Sequence, residues 1–194
     1  NQADNVMVGS LSGYSSESSG STFLGFQAGY YPHGNLNTFI GYKSGKGDNS
    51  GVHTAHSNVG VGANALLAIT AGEKNAVLGY DAGKTLTTGT GSTFVGYEAG
   101  FSATTANDNV MVGHQAGKNT TNAHGNTFMG YIAGRYTTTG DGNTLIGYMA
   151  GTATYQSAGT MYDNTAVGFL AGKDLTSGYE NAIVGGYAGE NLTV

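Results

Sequence analysis

The chain contains no cysteine, no tryptophan and a single proline, Pro32. Without cysteine there is no disulfide scaffold and no thiolate metal site. With one proline and no glycine at every third residue, a collagen-like helix is excluded. Charge is also scarce. Only 10% of the 194 residues are Asp, Glu, Lys or Arg, against roughly 25% in average proteins. The seven basic residues are scattered singly and the formal net charge is −5. A nucleic-acid surface requires a clustered basic footprint, so that class of partner is not expected. No apolar run approaches the ~20 residues of a membrane span, so membrane insertion is not expected. No charged segment followed by an apolar one marks a signal peptide. Disorder is opposed by the low charge and by a hydrophobic content of 39%.

Glycine is abundant, with 35 residues. Much of it belongs to one recurring phrase, clearest in the copies starting at Asn37 (NTFIGYKSG), Asn126 (NTFMGYIAG) and Asn143 (NTLIGYMAG). The phrase runs Asn, small or β-branched, apolar, aliphatic, Gly, aromatic, any residue, Ala, Gly. Its central glycines are Gly9, Gly25, Gly41, Gly62, Gly79, Gly96, Gly113, Gly130, Gly147, Gly168 and Gly185, giving 11 copies with a modal period of 17. Two steps, Gly41 to Gly62 and Gly147 to Gly168, are four residues longer.

Seventeen residues are too few for a helix-turn-helix repeat. They suit one coil of a parallel β-solenoid. The fold class is therefore all-β: a β-roll of about 11 coils filling residues 1–194 as one repeat domain. The rest of each unit, such as LTTGTG after Thr85, is expected to form a second, more polar strand and a turn. The chain starts and stops close to repeat units without polar caps. More protein beyond one or both ends, or end-to-end stacking, is therefore expected.

Columns of equivalent residues carry the finer expectations. The aliphatic residue before the central Gly and the small or β-branched residue two earlier share one strand face, which is expected to point into the coil. The residue between them lies on the opposite face: Phe23, Phe39, Val77, Phe94, Met111, Phe128, Leu145 and Ile183. A strand apolar on both sides is buried on both sides. This second face is expected to form an oligomer interface around an axis along the solenoid. A thick coil that turns both faces inward is the alternative. The leading Asn is expected to form hydrogen-bonded side-chain ladders or to take a left-handed turn conformation.

The phrase NTFIGYKSG and its relatives resemble the repeats of trimeric left-handed β-rolls, found in trimeric autotransporter adhesin heads and related bacteriophage tail-fibre proteins. The resemblance spans essentially the whole chain. It implies three chains packed around a common axis and attachment to cell surfaces, glycans or protein receptors. It also implies an extracellular, cell-surface or virion location. The longer unit and the aromatic after the central Gly depart from the usual adhesin head and favour the fibre branch.

The candidate binding surface comprises the aromatic column Tyr42, Tyr80, Tyr97, Tyr131 and Tyr148, which could stack on sugars or pack between protomers. Beside it lies a possible exposed apolar patch, Ile132, Met149 and Leu170. A ladder of Thr87, Thr104, Thr121 and Thr138, flanked by Thr88, Thr105 and Thr139, raises a second reading, ice binding. A polysaccharide-degrading fibre, using Asp81 and Glu98, is the third. His53 and His56 (HTAH) read as loop residues rather than metal ligands. Asp48 and Asp141 read as turn residues, and no metal or cofactor is expected. Asn119-Thr120-Thr121 and Asn191-Leu192-Thr193 match glycosylation sequons. No catalytic set emerges.

Overall fold

The computed structural model describes residues 4–15, 17–31, 34–49, 53–153 and 159–192. The strands are β1 (Val6–Val8), β2 (Thr22–Leu24), β3 (Thr38–Ile40), β4 (Val59–Val61), β5 (Ala76–Leu78), β6 (Thr93–Val95), β7 (Val110–Val112), β8 (Thr127–Met129), β9 (Thr137–Thr139), β10 (Thr144–Ile146), β11 (Gly159–Tyr162), β12 (Thr165–Val167), β13 (Ser177–Tyr179) and β14 (Ala182–Val184). The described residues contain no helix, and so none long and apolar enough to cross a membrane.

Eleven strands, one from each copy of the phrase, form a single parallel sheet in the order β1-β2-β3-β4-β5-β6-β7-β8-β10-β12-β14. The chain is a parallel β-solenoid of about ten turns. Pairing joins equivalent residues: Phe23 with Phe39, Phe94 with Met111, Leu145 with Ala166. The long steps do not disturb this register, since Thr38 still pairs Val59 and Thr144 pairs Thr165. At about 4.8 Å per step the sheet is roughly 48 Å long. Among the described residues the expected polar strand forms in the last coils, as the three-stranded sheet β13-β11-β9. In the coils from Gly62 to Gly113 the same stretch is turn and extended chain, tied upward by backbone bonds such as Thr87 N–H to the Thr104 carbonyl, 2.9 Å.

The strand faces are the reverse of the sequence expectation. Phe23, Phe39, Phe94, Met111, Phe128 and Leu145 are fully buried inside the single chain, and Val77 and Ile183 nearly so. They are therefore not an interface between chains. Leu78, on the other strand face, is 51% exposed. The physical reason is the narrowness of the coil. A three-residue strand turns one side chain inward, and the middle position takes that place. Opposite it stand the Ala column, from Ala28 to Ala171, and the column Ile69, Leu86, Ala103, Thr120, Thr137 and Leu175, all fully buried. The closing Gly makes room for the ring: a Cβ on Gly100 would lie 2.9 Å from the Phe94 ring. The fourth coil confirms this by exchange. Gly60 occupies the ring position, and Leu66, fully buried, replaces the closing Gly.

The central Gly has a separate cause. At Gly9 φ is +125°, and a Cβ there would lie 2.7 Å from the Gly25 carbonyl oxygen of the coil above. Only glycine fits both the dihedral and the approach.

The Asn column is a buried ladder, as expected. Asn143 donates its backbone N–H and its Nδ2 to Asn126 Oδ1, at 2.9 and 3.0 Å. Its Nδ2 also reaches the Asp141 and Met161 carbonyls. The left-handed conformation falls one residue earlier, for example at Lys74 (φ 58°) and Asp108 (φ 55°).

Candidate functional site

With the rings inside, each outward strand face displays the aliphatic and β-branched columns. Val6, Val8, Leu24, Val59, Leu78 and Met129 are all exposed. Past the central Gly the aromatic column continues this surface. Tyr80 and Tyr97 stack with centroids 5.6 Å apart and planes 7° apart. His114 continues the stack between Tyr97 (5.0 Å) and Tyr131 (5.2 Å), followed by Tyr148 and Phe169. Tyr42 stacks on Phe26 at 5.5 Å. Along all 11 copies, these three columns contain no Asp, Glu, Lys or Arg. The first column is threonine in six copies, while the other two are largely aliphatic and aromatic, and monomeric proteins rarely leave so much apolar surface uncovered.

The stacking also limits what the tyrosines can do. A sugar binds an aromatic by covering its face, but each inner ring already has a neighbour on both faces. What Tyr97 and Tyr131 present outward is ring edge and hydroxyl.

The column after the aromatic is not the freely solvated position that its variety implies. All 11 of its residues are left-handed, from Ile132 (φ 48°) to Tyr187 (φ 61°). Ile132 is buried, and Met149 and Leu170 are half-buried, so the expected exposed apolar patch is absent there. Asp81 is buried too, held by Lys84 Nζ at 3.0 Å and Asn64 Nδ2 at 2.8 Å. Glu98 accepts from Lys118 Nζ and Gln115 Nε2, both at 2.6 Å. Partial burial pushes the Glu98 carboxyl up. The hydrogen bonds from Lys118 and Gln115, and the Lys118 charge, outweigh this and hold it below the usual value. The same carboxylate raises the Tyr97 phenol beside it, with a smaller contribution from burial.

Asp81 and Glu98 thus fall on adjacent coils but are each committed to a lysine. Glycoside hydrolysis needs one carboxyl kept protonated, whereas Glu98 is held ionised. The hollow of about 400 Å³ near the C-terminal end is lined by Ser177, Gly178, Tyr179 and Asn181, none of them acidic. Glu98→Gln is expected to cost on the order of 1 kcal/mol at neutral pH. Because the folded-state value is lowered, the wild-type advantage is present above the ordinary carboxylate range. It is lost as pH falls through the lower folded value. Urea midpoints of the two proteins should converge on acidification, and a constant gap would contradict the assignment.

The threonine ladder extends one member further, to Thr70, which stands one period of 17 before Thr87. Thr70, Thr87, Thr104 and Thr121 each donate the side-chain hydroxyl to the carbonyl of the next member, ending at Thr138, at 3.0–3.2 Å. Thr88 and Thr105 are exposed beside it, and Thr139 is half-exposed.

His53 Nε2 donates to the Asp48 carbonyl at 2.8 Å and its ring stacks on Tyr31. His56 Nδ1 accepts the Asn35 N–H at 2.9 Å. Asp141 Oδ1 accepts the His124 N–H at 2.7 Å, a turn role. Among the described residues no group of three metal-ligating side chains forms. Asn119 is half-buried, while Thr193 of the second sequon, and Pro32, lie outside the described residues.

No family model, no curated protein and no solved structure matches this chain.

Proposed function

We propose that the chain is a segment of a self-associating structural or adhesive fibre, in which copies, three in number, bury their outward sheet faces around a common axis. It would act outside a cell, on a cell surface or on a virion, with attachment to glycans or a protein receptor as its role. The observation that carries this reading is the uncharged aliphatic and aromatic surface along the length of the rod. Its rings expose edges rather than faces, which suits packing against protein better than stacking on a sugar.

The test is the mass in solution. At micromolar concentration sedimentation equilibrium is expected to give about three times 19.6 kDa. Leu78→Glu combined with Met129→Glu is expected to yield single, folded chains, because both side chains point away from the coil interior. A wild-type protein that sediments as a single chain overturns the reading.

Ice binding is a second reading, favoured by the hydroxyls locked in one orientation from Thr70 to Thr121. Absence of both thermal hysteresis and inhibition of ice recrystallisation would remove it.

A further inference from the structure

The outward aromatic column is interrupted at one coil. Its equivalent positions hold Tyr42, Ala63 and Tyr80 in three successive copies. The backbone keeps its stack there: Asn64 N–H donates to the Tyr42 carbonyl at 2.8 Å, and Asp81 N–H to the Ala63 carbonyl at 3.0 Å. The two tyrosine rings therefore stand two coil steps apart, about 9.6 Å, with one alanine methyl between them. Phe26 covers one face of Tyr42, and Tyr97 covers one face of Tyr80. The other face of each ring turns toward the gap. Tyr42 and Tyr80 are accordingly 49% and 51% exposed, against 44% for Tyr97 and Tyr148 and 45% for Tyr131.

Polar groups stand at the same place. Because Phe26 occupies one face of Tyr42, the Lys43 ammonium, 4.8 Å from the Tyr42 ring centre, lies over the face that borders the gap. Lys43 forms no ion pair among the described residues. Asn64 follows Ala63 in the chain. Its Nδ2 donates to Asp81 Oδ1, while its own Oδ1 accepts no hydrogen bond among the described residues. Asp81 is buried and held by Lys84 at 3.0 Å, so its charge is already answered.

We propose that this gap binds one pyranose ring of an acidic polysaccharide, held between the Tyr42 and Tyr80 faces with its carboxylate on Lys43. The inference rests on the attachment role proposed above and names its site. A ring centred in the gap lies about 4.8 Å from each tyrosine. That is close to the 5.0–5.6 Å at which the rings of this column already stack. A pyranose chair has C–H groups on both faces and hydroxyls around its rim. The faces meet the two rings, a rim hydroxyl donates to Asn64 Oδ1, and the carboxylate accepts from Lys43 Nζ. A phenyl or phenol ring from a second copy would fill the same space but leave the cation and the amide oxygen unanswered. Such sparse polar groups beside apolar walls are what fix a ligand's orientation and class. Elsewhere in the column a neighbouring copy meets ring edges. At this coil Ala63 is too short to reach it, so the gap stays open in the assembly.

The test titrates the 194-residue chain with tetragalacturonate, and with cellotetraose as the neutral probe, followed by NMR at neutral pH. Tetragalacturonate is expected to bind with a Kd of about 0.1–1 mM, in keeping with contact to a single ring. Cellotetraose, which has no carboxylate, should bind about tenfold more weakly. Lys43→Gln should weaken tetragalacturonate about tenfold and leave cellotetraose unchanged. Ala63→Tyr gives this coil the residue that Tyr42 and Tyr80 supply on either side. It should keep the fold and the wild-type sedimentation, and weaken tetragalacturonate at least about tenfold by filling the gap.

A wild-type chain that does not bind tetragalacturonate, or an Ala63→Tyr chain that binds it as the wild type does, overturns the proposal. Equal affinity for the two probes overturns the acidic ligand. An Ala63→Tyr chain that loses association but not sugar binding also overturns the proposal, because it places a neighbouring copy in the gap. If the wild type still sediments as three copies, each of these results leaves self-association standing. A wild-type chain that sediments singly yet binds tetragalacturonate through Ala63 and Lys43 supports the site and overturns the self-association.

Discussion

Phe94→Ala is expected to lower the unfolding free energy by about 3–5 kcal/mol, the range for emptying a fully buried aromatic site. The ring is completely buried and packs between the glycines of neighbouring corners, Gly83 and Gly100. Neither glycine has a side chain that could close the space left behind, so collapse is incomplete and the cavity cost remains. Urea unfolding monitored by circular dichroism would measure the loss. The same substitution discriminates between the two readings of the strand. A ring inside the coil makes the mutant unstable before it dissociates. A ring between chains would leave a stable single chain. Leu78→Glu should behave in the opposite way, because Leu78 faces outward: dissociation with little loss of stability. A Phe94→Ala protein of wild-type stability would contradict the inward placement.

The second large effect is expected at Asn126. Its side chain is buried and fully engaged. Oδ1 accepts the Asn143 backbone N–H and Nδ2, and Nδ2 reaches Asn109 Oδ1 at 3.1 Å and the Gly140 carbonyl at 2.9 Å. Asn126→Ala strands the Asn143 N–H and the Gly140 carbonyl in the interior. At about 1–3 kcal/mol for each unsatisfied buried group, the loss from the two is about 2–6 kcal/mol. Asn126→Ser should be milder. Ser21 and Ser92 already stand in this column, where each Oγ accepts the N–H of the Asn in the next coil, at 3.1 and 3.2 Å. Hydrogen exchange at Asn143 provides the local readout. It should accelerate strongly in the Ala variant and modestly in the Ser variant. Equal exchange in the two would show that the ladder contributes nothing through its acceptor.

These two columns mark the extent to which the sequence is legible. The Asn ladder is readable because an in-register parallel stack places each residue on its own equivalent one period later. A repeating Asn must then meet Asn. The Phe column repeats just as clearly, and its burial is equally readable. What covers it is not. A three-residue strand with apolar side chains on both faces carries no local mark of which face is inside. The Gly60–Leu66 exchange could have supplied that mark, since a missing ring and a filled glycine position in one copy imply that the two touch. The left-handed column is illegible in the sequence for another reason. Such backbone favours Gly, Asn and Asp, yet here it is held by the fold at Ile132, Met149 and Leu170.

By itself the sequence determined the period, the parallel register, the ladders and the glycine corners, because all of these follow from stacking one unit on the next. Only the tertiary structure decided which strand face is the core, where the rings leave their faces, and which lysine each of Asp81 and Glu98 meets. Closure of the coil fixes those features. It depends on backbone turns before and after the strand, and it brings together residues that the linear order keeps a full period apart.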